Sequence, residues 1–194
     1  FFLWYAPFLP HTPHNPPERL LKKYRTADRP LTVAKYDAMC EWFDETCGQL
    51  IGYVDKKVLR DNTLIVLWSD HGYHLGEKGL WGKTTNYELD TRVAFLCRAP
   101  GMKKAGGRTG ALVELVDLYP TLCEMAGLDL PGHLEGTSLV PLLRDNARSW
   151  KRAAFSQFPF GRDIMGRALR TDRYRYTEWS RGKEGFELYD YQED

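Results

Sequence analysis

The chain has 194 residues, of which 43% are hydrophobic and 13% aromatic, enough apolar surface to bury the core of a globular protein. Its 27 basic and 26 acidic residues give a formal charge of +1. A charge so close to zero provides no field to attract nucleic acid or an anionic membrane, so neither partner is favoured. No apolar run is long enough to cross a bilayer.

The N-terminal third is predicted to contain a strand, a loop and a long helix. Residues 1–6 are apolar but lack an initiator Met and a basic region, so they predict a buried strand whose upstream partners are missing, and not a signal peptide. Residues 9–17 contain four prolines, which restrict the backbone of the loop that follows. From residue 33 to residue 59, apolar side chains recur every three or four positions and predict an amphipathic helix.

A continuous apolar run over residues 63–68 is typical of a strand covered on both faces, as in a parallel sheet. It ends directly in Ser69-Asp70-His71-Gly72. In open α/β sheets, ligands bind outside the carboxyl ends of the strands. Residues 92–97 are predicted to form the next strand.

The C-terminal part is predicted to begin with a helix and end in a sheet. Asp117 is the expected N-cap of the helix, Pro120 lies in its first turn, and Gly127 follows its end. After Trp150 come four short alternating segments, which predict a small antiparallel sheet appended to the α/β core. These segments are residues 153–158, 164–170, 174–179 and 186–189.

The strongest chemical signal is the strand followed by Asp70 and His71 and, a dozen residues later, by Lys83. The Asp70 carboxylate at a strand end can bind a hard divalent cation, and the His71 imidazole can add a nitrogen ligand. Lys83 can return to the same pocket as a point charge for an anionic group. The alternative is a loop aspartate that caps a turn beside a surface histidine.

Histidines provide the second signal. His11, held between prolines, suits proton transfer to a leaving oxygen because its pKa is near neutral; the alternative for His11 and His14 is local hydrogen bonding. The His-x-x-His spacings His11/His14 and His71/His74 together suggest a zinc hydrolase. That hypothesis is less favoured, since neither pair is predicted to lie in a helix and no glutamate base lies between the histidines.

The four cysteines show no close metal-type spacing. Cys40 and Cys47 lie on one face of the predicted helix, so packing explains them better than ligation. Cys97 and Cys123 are isolated in the sequence.

Taken in order, these motifs resemble the sulfatases of the alkaline phosphatase superfamily. The resemblance covers nearly the whole chain: a strand and Pro-His-Thr-Pro, a long helix, a strand and Ser-Asp-His-Gly, then GEKGLWGK, a strand and Ala-Pro-Gly, VDLYPTL, and a tail ending in ELYD. Within the family, the chain is most similar to the iduronate-2-sulfatase-like branch, which has histidine after the metal aspartate. Lys78 stands where that branch commonly has histidine.

The resemblance implies roles for individual residues. Asp70 and His71 match metal ligands around a single ion, usually calcium, although calcium prefers oxygen ligands and manganese, magnesium or zinc remain alternatives. Lys83 matches the lysine that contacts the sulfate, and His11 matches the histidine that assists the leaving group, with His14 the less favoured candidate. Three pocket neighbours could contact the substrate or could only pack and hold the loop in shape. These are Trp81, Asn86 and Tyr73.

The resemblance also implies a fold and an activity. The expected fold is an α/β, alkaline phosphatase-like mixed sheet flanked by helices, with residues 1–149 in the catalytic domain and residues 150–194 starting a small C-terminal antiparallel sheet subdomain. The expected activity is hydrolysis of a sulfuric ester, removing O-sulfate from a small molecule or glycan, and the family favours a periplasmic, secreted or lysosomal location. Alternatives are a phosphomonoester or phosphodiester hydrolase of the same superfamily and a non-catalytic carbohydrate-binding relative.

The family's nucleophile is a formylglycine made from the first residue of a Cys/Ser-x-Pro-x-Arg motif, which this sequence does not contain. This sequence also does not contain the paired N-terminal aspartates that complete the family's metal site. We therefore expect the chain to be the C-terminal portion of the enzyme and to be inactive by itself.

Overall fold

The computed structural model describes residues 1–102 and 106–193. They form two compact units, Phe1–Asn62 and Thr63–Asp194, which are described separately below. The first unit is helical, whereas the second combines strands with short helices, so the α/β fold class is confirmed. No helix in the described ranges is long and apolar enough to span a membrane.

The first unit is built on two helices, α1 (Glu18–Tyr24) and α2 (Leu31–Lys56). Helix α2 confirms the helix predicted from the apolar periodicity, although it begins two residues earlier and ends three residues before Leu59. Its alanines permit close approach to α1, and the two helices share a small core of four buried side chains. These are Leu20, Leu21, Ala34 and Ala38.

The strand predicted for residues 1–6 is not formed. The side chains of Phe1, Phe2 and Leu3 are 89%, 80% and 62% exposed. A strand needs a neighbour for its backbone hydrogen bonds, and in the described part of the chain no strand pairs with these residues. Apolar composition alone therefore does not form a strand in the described residues.

The second unit begins with β1 (Ile65–Trp68), which pairs with β4 (Phe95–Arg98). The pair is antiparallel, with Ile65 opposite Arg98, so the parallel arrangement predicted for this apolar run is wrong here. A parallel pair needs a crossover, usually a helix of several turns. The one α-helix between these strands is the four-residue α3 (Glu88–Thr91), so residues 69–94 contain no helical crossover.

Between β1 and α3, the chain folds into a short hairpin. Strand β2 (His74–Leu75) pairs with β3 (Trp81–Gly82), and a single 3₁₀ turn over Glu77–Gly79 joins them. The hairpin brings residue 83 back beside residue 71, and this places the two halves of the candidate site.

Helix α4 (Leu118–Ala126) confirms the predicted helix, and Gly127 ends it in the left-handed conformation, with φ 67°. Asp117 occupies the N-cap position, but its carboxylate does not cap the helix. It accepts hydrogen bonds from the Glu114 and Thr137 backbone amides and from Lys151 Nζ instead. Helix α5 (Val140–Arg144) follows.

The C-terminal segments form a four-stranded antiparallel meander in the order β5-β6-β7-β8. The predicted sheet is confirmed, and two of its strands have the predicted bounds. The strands are β5 (Ala154–Phe160), β6 (Ile164–Arg170), β7 (Tyr174–Trp179) and β8 (Phe186–Asp190). The division of the chain at residue 149 stays a prediction.

Candidate functional site

The candidate site lies just beyond the carboxyl end of β1. Asp70 presents its carboxylate to solvent, with 82% of the side chain exposed, and His71 beside it is 30% exposed. The His71 amide donates to Asp70 Oδ1 at 3.1 Å, and Asp70 Oδ2 lies 3.5 Å from His71 Nε2. One carboxylate oxygen and one imidazole nitrogen are thus held next to each other at the surface.

The hydrogen bonds of His71 define its tautomer. Nδ1 lies 2.7 Å from the Gly72 carbonyl oxygen, which can only accept, so Nδ1 carries the proton. Lys83 Nζ, which can only donate, lies 2.7 Å from Nε2. An imidazole that donates from Nδ1 to a backbone carbonyl can present a lone pair on Nε2, which is the form in which histidine binds a metal ion.

Lys83 follows β3 and returns to the Asp70-His71 turn, as its spacing predicted. Its ammonium group is partly buried beside His71, so the structure brings a carboxylate, an imidazole and a cation into one cluster. The roles of these residues as metal ligands and sulfate contact stay predictions.

Gly72 permits a close approach that the turn requires. A Cβ atom at this position would lie 1.8 Å from the Leu89 carbonyl oxygen, far inside any permitted contact. The Gly72 amide donates to the Asp90 carbonyl at 2.8 Å. The absence of a side chain therefore lets the turn rest directly on the backbone of α3.

The pocket neighbours have different environments. Trp81 is 51% exposed, which leaves its ring accessible to a ligand. Asn86 is only 6% exposed, and its Nδ2 donates to the Phe158 carbonyl of β5 at 3.3 Å. Tyr73 lies beside Gly82 and is half-buried. These contacts favour the packing interpretation for Asn86, which joins the segment after Lys83 to the C-terminal sheet by a hydrogen bond.

Lys78 also joins the loop to that sheet. Its ammonium group lies 4.3 Å from the centre of the Tyr87 ring and 4.8 Å from the centre of the Tyr189 ring. Both distances are typical of a cation–π contact. Burial and the neighbouring Glu187 carboxylate raise the pKa of Tyr189, which keeps its ring neutral.

The proline-rich loop of the first unit places its two histidines in different surroundings. His11 is exposed and donates from Nδ1 to the Thr12 carbonyl at 2.8 Å. His14 is half-buried and meets the Tyr36 ring edge-on at 5.6 Å. Burial lowers the pKa of His14 despite a hydrogen bond to the Pro10 backbone.

The zinc hypothesis from the two His-x-x-His spacings is not favoured by these contacts. His74 is 1% exposed, and its Nε2 faces Asp90 Oδ1 at 3.3 Å, whereas His71 Nε2 faces Lys83. In residues 1–102 and 106–193, no three histidine, cysteine, aspartate or glutamate side chains cluster so as to hold a metal ion.

The cysteines are free thiols. Burial raises the pKa of the Cys40, Cys47 and Cys97 thiols. A raised pKa makes a thiol a poor nucleophile at neutral pH because the thiolate is the reactive form. This agrees with the packing interpretation given to Cys40 and Cys47.

Sequence reasoning missed Asp90, which underlies the site. The residue lies in a short stretch with no recognised motif around it. Its contact with Thr85 spans five residues of sequence, whereas its contact with His74 is made only in the fold. Its carboxylate is 4% exposed and accepts from the Thr85 amide and hydroxyl at 2.8 and 2.6 Å.

Comparison with known proteins decides the family. A sulfatase family model matches residues 1–128, and a model described as N-sulphoglucosamine sulphohydrolase, C-terminal, matches residues 76–194. The chain belongs to the sulfatase family. Two similar relatives are an N-acetylglucosamine-6-O-sulfatase from Bacteroides thetaiotaomicron, 32% identical over 78% of the chain, and human iduronate 2-sulfatase, 29% identical over 74%. The chain spans 28% and 37% of the length of these two proteins.

Solved structures of sulfatase relatives share the fold. The protein YidJ from Bacteroides fragilis matches 95% of the chain and 46% of its own length at 26% identity, with a TM-score of 0.85. A protein solved with its substrate D-glucosamine-2-N,6-O-disulfate matches 90% of the chain and 38% of its own length at 27% identity, with a TM-score of 0.75. A phosphonate monoester hydrolase from Silicibacter pomeroyi matches 91% and 41% at 26% identity, with a TM-score of 0.78.

Proposed function

We propose that this sulfatase-family chain carries the metal- and sulfate-contacting residues of an enzyme that hydrolyses O-sulfate esters of carbohydrates. The observation that carries the proposal is the Lys83 ammonium group 2.7 Å from His71 Nε2, beside the exposed Asp70 carboxylate. The sulfate of the proposed substrate is anionic, and charge builds on its oxygens as the ester bond breaks. Cationic groups fixed in advance at those oxygens lower the barrier because they need no reorganisation during the reaction.

Asp70 and His71 would hold a divalent metal ion. The exposed Asp70 carboxylate provides oxygen, and the Nδ1 contact with the Gly72 carbonyl directs His71 Nε2 towards the cluster, so the donor types fit such an ion once Lys83 gives up Nε2. When bound, the ion would act as a Lewis acid that polarises a sulfate oxygen. Two side chains are fewer than the six to eight ligands that calcium takes, so further ligands must come from other groups.

We propose calcium as the ion, following the family resemblance. A single imidazole among oxygen ligands also suits manganese, magnesium or zinc. Activity after removal of all metal and restoration with one ion at a time distinguishes them: calcium alone restores full activity if the assignment is correct.

Lys83 is assigned to the sulfate itself. Its Nζ would exchange His71 Nε2 for a sulfate oxygen, and the exchange would also free Nε2 for the metal ion. The ammonium charge would then offset charge on a non-bridging oxygen. His11 is assigned to the leaving group, because its exposed imidazole can give a proton to the departing alkoxide.

The nucleophile is assigned to a formylglycine outside this sequence, which contains no Cys/Ser-x-Pro-x-Arg motif. We expect the 194-residue chain alone to leave an aryl sulfate unhydrolysed. Metal-dependent hydrolysis by the purified chain would contradict that assignment.

Sulfated carbohydrate is the proposed substrate class because the descriptions of two similar proteins name a sulfated sugar or a sugar sulfatase. The N-acetylglucosamine-6-O-sulfatase and the protein solved with a glucosamine disulfate substrate both point to amino sugars. One fold neighbour is a phosphonate monoester hydrolase, so the fold alone does not distinguish sulfate from phosphorus esters. Hydrolysis of an aryl phosphate in preference to an aryl sulfate would favour the phosphoester alternative.

Replacing Lys83 tests the proposal. In the enzyme that joins this chain to the nucleophile motif, we expect Lys83→Ala to lower kcat/KM for an aryl sulfate by about 100-fold or more, by analogy with losing one oxyanion donor. Lys78→Ala is the matched control, since that lysine lies in the turn of the neighbouring hairpin but packs on tyrosine rings. Equal kinetics for wild type and Lys83→Ala would refute the role of Lys83.

A paired replacement tests the leaving-group assignment. We expect His11→Asn to lower kcat more for substrates with poor leaving groups than for activated aryl sulfates, because only the former need a proton. His14→Asn is the comparison. If that leaving-group dependence is found in His14→Asn alone, the role belongs to His14.

A further inference from the structure

The second unit contains a buried polar cluster beneath the proposed site that no assigned role explains. Its members are His74 on β2, Thr85 in the loop after Lys83, and Asp90 on α3. His74 and Asp90 are 1% and 5% exposed. Buried polar groups are costly unless they are hydrogen-bonded, so their arrangement needs an explanation.

Asp90 contacts the Lys83 loop through its carboxylate. Oδ2 accepts from the Thr85 backbone amide at 2.8 Å and from the Thr85 hydroxyl at 2.6 Å. Thr85 lies two residues after Lys83 in the sequence. These two hydrogen bonds therefore fix the backbone close to the point where the Lys83 side chain departs.

Asp90 contacts the end of the Asp70-His71 turn through its backbone. Its carbonyl accepts from the Gly72 amide at 2.8 Å, and Gly72 directly follows His71. A Cβ on Gly72 would lie 1.8 Å from the adjacent Leu89 carbonyl, so the turn and α3 are already at the closest possible approach.

Asp90 also faces the hairpin. Its Oδ1 lies 3.3 Å from His74 Nε2. The Tyr87 ring meets the His74 ring edge-on at 6.2 Å and closes the cluster on that side. Within the described residues, neither His74 Nδ1 nor Asp90 Oδ1 has a hydrogen-bond partner, so Asp90 and His74 are in contact without a hydrogen bond.

We propose that Asp90 is a positioning residue that sets the distance between Lys83 and the Asp70-His71 turn. One residue on α3 binds the segment that carries the proposed sulfate contact and the segment that carries the proposed metal ligands. Positioning of this kind matters because a displacement of about 1 Å can cost about 100-fold in rate. This role rests on the proposed function, since it concerns residues assigned there to sulfate and metal.

The test measures the geometry directly in the full chain. The nuclear Overhauser effect between Lys83 Hε and His71 Hε1 reports on the contact that the 2.7 Å separation of Nζ and Nε2 implies. We expect wild type to show this cross-peak and Asp90→Asn to weaken it, because an uncharged amide oxygen accepts from the Thr85 amide and hydroxyl less strongly than a carboxylate oxygen does.

Thr85 supplies a second variant that keeps the carboxylate in place. Thr85→Val is nearly the same shape but has no hydroxyl, so we expect the cross-peak to weaken, whereas Thr85→Ser restores the hydroxyl and the cross-peak. If Asp90→Asn fails to fold, this pair decides the question. A cross-peak as strong in Thr85→Val and in folded Asp90→Asn as in wild type would overturn the proposal.

Asp117→Asn is the matched control for a general loss of stability. Asp117 is fully buried in the same unit and accepts from two backbone amides and Lys151, but it does not touch the Asp70-His71 turn or the Lys83 loop. We expect the cross-peak to persist in this variant. Its weakening in Asp117→Asn to the same extent as in Asp90→Asn would show a structural role only and overturn the proposal.

Enzyme kinetics separate this inference from the function on which it rests. In the enzyme that contains the nucleophile motif, we expect Asp90→Asn to lower kcat by about 10- to 100-fold with little change in KM. An enzyme that hydrolyses no sulfate ester refutes the proposed function but leaves the cross-peak results unaffected. An active enzyme with kcat unchanged in Asp90→Asn refutes the positioning role alone.

Discussion

Gly72→Ala is the substitution whose effect the structure defines most sharply. The added Cβ would lie 1.8 Å from the Leu89 carbonyl oxygen, 2.8 Å from the Leu89 carbonyl carbon and 3.3 Å from the Arg92 carbonyl oxygen. All three neighbours are backbone atoms, which cannot swing aside as a flexible side chain can. The turn and α3 must therefore separate by more than an ångström, which also breaks the hydrogen bond from the Gly72 amide to the Asp90 carbonyl.

The cost of Gly72→Ala has two parts. Overpacking a tight contact costs about 1–3 kcal/mol, and leaving a partly buried amide unpaired costs about 1–3 kcal/mol. Because the turn lies near the surface and can partly relax, we expect the free energy of unfolding to fall by about 2–4 kcal/mol. Urea unfolding of the chain followed by circular dichroism measures this change through the midpoint and the slope.

Gly132→Ala is the matched control for that experiment. Gly132 lies in the same unit, and a Cβ there would meet nothing within 4 Å, so the midpoint should stay close to that of wild type. The steric reasoning would be refuted if Gly72→Ala and Gly132→Ala unfolded at the same urea concentration.

Three further outcomes are expected in the same stability assay. Gly52→Ala should stabilise α2 by roughly 0.5–1 kcal/mol, since Gly52 is helical with open space at its Cβ position; a lower midpoint would contradict this. Arg175→Met should destabilise the second unit by about 3–5 kcal/mol, because the guanidinium group of this 3% exposed residue donates hydrogen bonds to the Asn86 carbonyl and to the Glu88 carboxylate. Arg167 is exposed, so Arg167→Met should leave the urea midpoint nearly unchanged. Burial opposes ionisation of Glu88, but the guanidinium groups of Arg175 and Arg170 outweigh burial and hold the pKa of Glu88 below its ordinary value of 4.5. The free energy of unfolding should therefore fall as pH falls through that lowered pKa. Glu88→Gln should reduce this loss of stability at low pH.

Local patterns predicted the elements that local interactions define. The four C-terminal strands alternate in burial and are joined by tight connections, so period-2 patterning was enough to find them, with the bounds of β6 and β7 as predicted. Helix α4 was also predicted from a local signal, the glycine that ends it in the left-handed conformation.

Features that depend on distant partners were predicted wrongly or missed. Residues 1–6 have the composition of a buried strand, but no strand among the described residues pairs with them. The apolar run at β1 does not reveal whether its partner runs parallel or antiparallel. Asp117 was expected to cap α4, yet its carboxylate is used by Thr137 and Lys151 from later in the chain.

The candidate site shows the same division. The order and spacing of Asp70, His71 and Lys83 were sufficient to predict that the three residues lie together, and the contact between Lys83 and His71 agrees with this. The support beneath them was missed. Asp90 accepts from Thr85, five residues earlier in the chain, and also faces His74, which only the hairpin fold brings beside it.

The central claim is that Asp70 and His71 bind a divalent ion that the hydrolysis of a sulfate ester requires. Its most direct test is the dependence of aryl sulfate hydrolysis on free calcium, measured for wild type and Asp70→Asn in the enzyme that joins this chain to the nucleophile motif. We predict that a chelator abolishes wild-type activity, that calcium restores it, and that Asp70→Asn raises the calcium concentration for half-maximal activity by about tenfold or more, since it removes a charged ligand. Activity that is indifferent to chelation and unchanged in Asp70→Asn would contradict the account.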